Sequence, residues 1–160
     1  MEKAFVALGA NLGNAQKALR DVIVRINAEE GISVTRTSSF YRTAPIDSSG
    51  PDYINAVIEV QTELSAEALL HALLDIENEF GRVRPVGVHN APRLMDLDLL
   101  LYGDQICKSK FLTLPHPRMH ERAFVLVPLC EISPEVEIPE KGKAKSFLPR
   151  LKDQGIEKIQ

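Results

Sequence analysis

The sequence predicts an α+β fold of the ferredoxin-like kind, a βαββαβ sheet with helices on it and C-terminal additions, in one domain spanning residues 1–160. Three observations predict it. Period-two and helical patterns alternate in the order β-α-β-β-α-β. A chain of 160 residues with 44% hydrophobic side chains matches one domain with a proper core. A leucine-rich run near residue 97 closes the pattern as a last strand.

The elements follow in order. Residues 5–8 are a short apolar strand, closed by the turn-rich Gly9-Ala10-Asn11-Leu12-Gly13-Asn14. Ala15, Ala18, Leu19, Val22, Ile23 and Ile26 keep helical spacing up to Gly31. Residues 32–43, rich in Thr, Ser and β-branched side chains, predict one long strand; Pro45, Gly50 and Pro51 mark a loop after it. Residues 54–62 alternate as a strand. Ser65 is placed to cap a helix with Ala66, Leu69, Leu70, Leu73 and Ile76 on its apolar face, ended by Gly81. Residues 82–92 form a loop with Pro85 and Gly87, and the strand after it puts Leu97, Leu99 and Leu101 on one face. The tail predicts a short strand after residue 103, a loop at 112–116 and helices near 121–129 and 146–152.

The last strand carries the main chemical signal. Asp96 and Asp98 fall on the face opposite the leucines, about 7 Å apart along the chain. Two like charges on one face of a sheet strand repel, and a divalent cation removes that penalty. Hard carboxylate oxygens suit magnesium, which keeps waters and substrate phosphates in its shell. Arg82, Arg84 and Arg93 bracket the preceding loop, and His116 and Arg122 lie in the tail. Arginine presents a planar fork of donors to phosphate oxygens. Acids for a metal together with several cations are what phosphoryl transfer needs. A solvated strand face is the plain alternative for the acid pair.

Tyr53 and Asn55 share a strand face. They suit a packed aromatic with a turn-capping amide, or a stacking plate beside an amide that reads the edge of a flat heterocycle. No G-x-x-x-x-G-K-[ST] loop is present, and the glycines at 9 and 13 do not complete G-x-G-x-x-G; they read as a tight strand-to-helix turn. A net charge of −3 and the lack of an aromatic K/R-G-F-type strand exclude a general nucleic-acid surface. No stretch is long enough to span a bilayer or make a signal peptide. Cys107 and Cys130 match no metal pattern, and the chain is expected to be cytoplasmic.

The segment Ala91-Pro92-Arg93-Leu94-Met95-Asp96-Leu97-Asp98-Leu99-Leu100 resembles the signature of the 6-hydroxymethyl-7,8-dihydropterin pyrophosphokinases of folate biosynthesis. The resemblance extends to Leu8-Gly9-Ala10-Asn11-Leu12-Gly13, Ser39-Phe40-Tyr41-Arg42-Thr43-Ala44-Pro45, Pro51-Asp52-Tyr53-Ile54-Asn55-Ala56, Ile76-Glu77 with Gly81-Arg82-Val83-Arg84, and Leu114-Pro115-His116-Pro117 with Glu121-Arg122-Ala123-Phe124. It implies transfer of pyrophosphate from ATP to the dihydropterin with release of AMP, two magnesium ions, and a ferredoxin-like fold with additions. It also implies roles. Asp96 and Asp98 would hold both ions. Tyr53 and Phe124 would sandwich the pterin, Asn55 would read its edge, and the backbone at Thr43, Ala44, Pro45 and Ile46 would complete that pocket. Arg82, Arg93, His116 and Arg122 would meet the phosphates, with Arg82 and Arg93 catalytic, and Glu77 and Thr113 would hold the nucleoside. The expected partners are ATP and the dihydropterin alone, with no nucleic acid or membrane, and the chain is expected to be monomeric.

The chain departs from the familiar pattern in three places. His89-Asn90-Ala91 stands where many relatives have Arg-Trp-Gly, Pro117 stands for a tyrosine, and Phe111 stands for an arginine. The loop at 82–92 is therefore expected to be a lid that closes with less apolar burial. A small-molecule sensor would leave the acid pair unexplained, and a metal-dependent phosphodiesterase would leave the heterocycle face unexplained.

Overall fold

The computed structural model describes residues 1–11, 13–44, 51–81 and 95–159. Its main sheet is antiparallel in every described pairing and contains β1 (Glu2–Ala10), β2 (Ile32–Thr37), β3 (Tyr41–Thr43), β4 (Tyr53–Thr62) and β5 (Asp96–Tyr102). The strand order is β3-β4-β1-β5, with β2 also paired to β4 beyond the end of β3. Two helices, α1 (Ala15–Asn27) and α2 (Ala66–Gly81), link the strands. The tail supplies β6 (Cys107–Lys108), β7 (Thr113–Leu114), helix α3 (Ala123–Ile132), β8 (Glu137–Ile138), β9 (Gly142–Lys143) and β10 (Glu157–Lys158), which joins the sheet beside β3.

Alternation along the strands builds a core on each face. Val6, Leu8, Ile58, Val60, Leu97 and Leu99 bury against Leu19, Val22 and Ile26 of α1 and Leu69, Leu73 and Ile76 of α2. Phe5, Ala7, Val57 and Leu101 bury on the other face, against Leu126 and Leu129 of α3 and against Leu151. Each fully buried aliphatic side chain contributes roughly 1.5–3 kcal/mol. Cys107 packs with the first cluster and Cys130 with the second, and both are free thiols.

The helix starts obey local capping chemistry. Asn14 Oδ1 accepts from Lys17 N at 3.1 Å, and Ser65 Oγ accepts from Ala68 N at 3.1 Å. Gly31, at φ 87°, turns α1 into β2, a conformation that only glycine adopts without strain.

Four expectations need correction. The first strand runs through Gly9 and Ala10 instead of stopping at residue 8, because both pair in register with Asn55 and Ile54. The long strand at 32–43 is broken into β2 and β3. Ser38 both donates its N–H to Val57 O and accepts from Val57 N through Oγ, each at 2.9 Å, and the register gains one residue between Thr37 (opposite Ile58) and Tyr41 (opposite Asn55). Leu101 does not share a face with Leu97 and Leu99, because a bulge lies between the pairs Val6–Leu99 and Phe5–Leu101. Finally, residues 113–114 are a strand rather than loop, while the helix expected near 146–152 is present as 3-10 helix at Ala144–Leu151.

Glu131 of α3 fastens the broken strand. It accepts from Ser39 N and Ser39 Oγ, and from Tyr41 Oη at 2.6 Å. Burial acts to raise its pKa, but the bonds from Tyr41 and Ser39 prevail and bring it below the ordinary 4.5. A depressed carboxylate contributes stability above its unfolded pKa and loses it as pH falls through the folded value. Glu131→Ala is therefore expected to cost about 1 kcal/mol near neutrality, less than the roughly 1.5–3 kcal/mol of a buried charged hydrogen bond because the group is largely exposed. Urea unfolding between roughly pH 7 and pH 3 checks this: the gap between mutant and wild type should close on acidification.

Candidate active site

Register gathers the chemical side chains on the α3 face of the sheet. Tyr41, Asn55, Gly9 and Asp96 are direct cross-strand partners and form one row across β3, β4, β1 and β5. Thr43 and Tyr53 are paired on one side of that row, and Val57, Ala7 and Asp98 lie on the other. Two strand spacings separate the column of Tyr53 and Asn55 from that of Asp96 and Asp98, about 10 Å. Gly9 lies between them and presents no side chain. A Cβ there would come 3.3 Å from Asn55 Oδ1, so glycine leaves room for the Asn55 amide. Sequence reasoning missed Gly9 by assigning it to a turn.

Asn55 is 5% exposed, and its Nδ2 donates to Thr43 Oγ1 at 2.9 Å. This bond orients the amide and leaves Oδ1 toward Gly9. Tyr53 is half-buried at the end of β4. Thr43 and Ala44 line a cleft of about 880 Å³ together with Arg122 and Phe124. The Arg122 guanidinium sits 5.5 Å from the centroid of the Phe124 ring.

Asp98 is exposed and Asp96 half-buried. Between them, the Leu97 N–H donates to Glu77 Oε2 at 2.9 Å. Glu77 is 4% exposed, so α2 holds the backbone of the acid-bearing strand with a buried carboxylate. The geometry thus brings Glu77 to the β5 backbone and leaves Thr113 exposed in β7.

His116 joins the acid column to the tail. Its N–H donates to Leu100 O at 3.0 Å, and its Nδ1 accepts from Arg118 N at 3.2 Å. A neutral imidazole so held carries its proton on Nε2. Burial pushes its pKa below 6.5; the Asp98 charge opposes this, and Arg122 and Arg118 add to it. In the ligand-free protein, Arg122→Gln is expected to raise the His116 pKa, because one of the cations that disfavour imidazolium is removed. Proton NMR of the imidazole across the titration checks the sign. Arg118 was not singled out from the sequence, although it stands two residues after His116.

Pro45, Ile46, Arg82, Arg84, Arg93 and the loop at 82–92 lie outside the described residues. Among the described residues no three His, Cys, Asp or Glu side chains come together as a metal cage. The acid pair is a hard, all-oxygen donor set, and it fits an ion that takes one or two carboxylates and completes its shell with phosphates and water. No described helix is long and apolar enough to cross a membrane.

Residues 5–134 match the model of the family described as 7,8-dihydro-6-hydroxymethylpterin-pyrophosphokinase. The chain belongs to that family. A 2-amino-4-hydroxy-6-hydroxymethyldihydropteridine pyrophosphokinase of Synechocystis is 44% identical over 140 residues, covering 88% of this chain and 71% of its own. The enzyme of the same name from Haemophilus influenzae is 39% identical over 160 residues, covering 99% of each chain. Among solved structures, a Plasmodium falciparum HPPK-DHPS triple mutant with SDX-DHP superposes with a TM-score of 0.72 at 13% identity. That match covers 96% of this chain and 43% of the other, so this chain spans less than half of the larger protein, and at that identity the likeness speaks for the fold alone.

Proposed function

We propose that this chain transfers the pyrophosphoryl group of ATP to the hydroxymethyl oxygen of 6-hydroxymethyl-7,8-dihydropterin, releasing AMP, as a step of folate biosynthesis. Family membership and the names of the full-length relatives support the reaction. The observation that supports carrying it to particular residues is the row Asn55–Gly9–Asp96, which sets a buried amide and an acid pair on one sheet face with only a glycine between them.

The pterin ring lies between Tyr53 and Phe124, its edge read by Asn55, with the backbone of Thr43, Ala44, Pro45 and Ile46 closing the pocket. Asp96 and Asp98 would hold two magnesium ions, whose chemistry is to neutralise charge on the phosphate oxygens and ease formation of an alkoxide-like nucleophile. The hydroxymethyl oxygen forms its new bond to the β-phosphorus as the bond from that phosphorus to the α–β bridging oxygen breaks, and AMP leaves with the bridging oxygen. The hydroxyl proton passes toward solvent, with Asp98, the exposed carboxylate of the pair, as the candidate acceptor. Arg122, Arg82 and Arg93 bind phosphate oxygens as cations, and His116 presents Nε2–H as a neutral donor. Glu77 and Thr113 belong to the nucleoside end, Glu77 through the strand it anchors.

The same reading takes residues 1–160 as one ferredoxin-like domain with C-terminal additions, acting as a cytoplasmic monomer. The order β2/β3-β4-β1-β5, antiparallel throughout its described pairings, supports the fold name. Incubating the protein with ATP, magnesium and the dihydropterin tests the function. AMP that appears only with pterin supports it; ADP, or no nucleotide product, counts against it.

A further inference from the structure

Helix α3 starts without a cap of its own. Arg122, in the capping position, is extended and makes no side-chain capping bond. The first N–H groups of a helix have no partner within it, and a side-chain acceptor normally supplies one. Here the acceptor comes from the far end of the chain. Gln154 Oε1 accepts from Ala123 N at 2.8 Å, and Gln154 Nε2 donates to Glu121 O at 2.8 Å. One amide thus pins the backbone on both sides of Arg122.

The same C-terminal segment is fastened to the opposite wall of the cleft. Glu157 and Lys158 pair with Arg42 and Tyr41 of β3, and Ile159 N donates to Phe40 O at 2.9 Å. Residues 154–157 line the cleft between the two attachments. One wall carries Arg122 and Phe124, and the other carries Thr43, the hydrogen-bond partner of Asn55. The body of α3 does not depend on the cap, since Leu126 and Leu129 are fully buried beneath the sheet. Loss of the cap therefore acts on the first turn, where Arg122 and Phe124 stand.

We infer that the segment at 154–159 is a clasp that sets the spacing of the two cleft walls, and that Gln154 is a positioning residue for Phe124 and Arg122. The inference rests on the reading of this cleft as the pterin and phosphate site. Gln154 touches no reacting atom; it acts through the start of α3.

Gln154→Ala and Gln154→Glu, made in the full chain, test it. The glutamate keeps an acceptor for Ala123 N and places an anion at a helix N-terminus, where it is favoured, but it loses the donor to Glu121 O and sets an oxygen against that carbonyl. Gln154→Ala is expected to raise the KM for pterin on the order of five- to tenfold, the factor that loss of a helix cap corresponds to, with a smaller change in kcat and a fall in melting temperature of only about 2–4 °C. Gln154→Glu is expected to restore part of that KM, since only the bond to Ala123 N is remade. Hydrogen exchange without ligand should show the Ala123 amide losing protection in Gln154→Ala while those of Leu126 and Leu129 keep theirs. An unchanged KM overturns the inference. So does a parallel fall of kcat, affinity and melting temperature that the glutamate does not rescue. If the wild type makes no AMP, the reading of the site fails, and the exchange experiment alone decides the clasp: an Ala123 amide equally protected in both proteins overturns it.

Discussion

Asp98→Ala is expected to reduce pyrophosphoryl transfer by about a thousandfold or more, because a bound metal supplies several kcal/mol of charge stabilisation to the transition state. The melting temperature should scarcely move, since Asp98 is exposed and its neighbours Leu97 and Leu99 keep their places in the core. Asp98 is the cleaner of the two acids to remove. Asp96 is half-buried, and its change mixes site and fold. The measurement is steady-state AMP production beside a thermal melt. Turnover near the wild-type rate would end the metal assignment, and a collapsed melting temperature would make Asp98 a structural acid. A second readout separates charge from packing. Asp98 favours the imidazolium form of His116, so its removal should lower the His116 pKa further in the ligand-free protein.

Asn55→Ala should weaken pterin binding about tenfold to a hundredfold, corresponding to roughly 1–3 kcal/mol for leaving a buried hydrogen-bonding edge unpaired. ATP binding should change little, because Asn55 stands two strands away from the acid column. Calorimetry with each ligand separately decides the matter. Equal loss for both would indicate a general disturbance of β4, and no loss would remove Asn55 from the pocket. The Thr43 hydroxyl, which now receives the Asn55 amide, would be left without that donor, so Thr43→Val should reproduce part of the effect.

The order of strands and helices was legible because each element carries its own period. Leu19, Val22 and Ile26, or Leu69, Leu73 and Ile76, announce a helix face without reference to anything distant. The acid pair was legible for the same reason: Asp96 and Asp98 alternate with leucines inside one strand. The breaks were not legible. Nothing local in Thr35, Ser38 or Leu100 states that a bulge falls there, since a bulge depends on what the partner strand offers. Each bulge reverses the facing of everything beyond it. Between Thr37 and Tyr41 the extra residue turns Tyr41 and Thr43 onto the α3 face, which is how Thr43 comes to meet Asn55.

By itself the sequence determined the order of the core strands and helices, the Asp96/Asp98 and Tyr53/Asn55 faces and the kinship with pterin pyrophosphokinases, because those rest on local spacing and on residue identities in order. Only the tertiary structure decided that Gly9 separates Asn55 from Asp96, that Glu77 holds the backbone between the two acids, and that Gln154 caps the helix bearing Phe124. These contacts join residues that are 20 to 46 positions apart in three of the four cases (Gly9 with Asn55, Glu77 with Leu97, Ala123 with Gln154), and 87 in the fourth, Gly9 with Asp96. Strand register and chain return create them, and no periodicity along the chain encodes either.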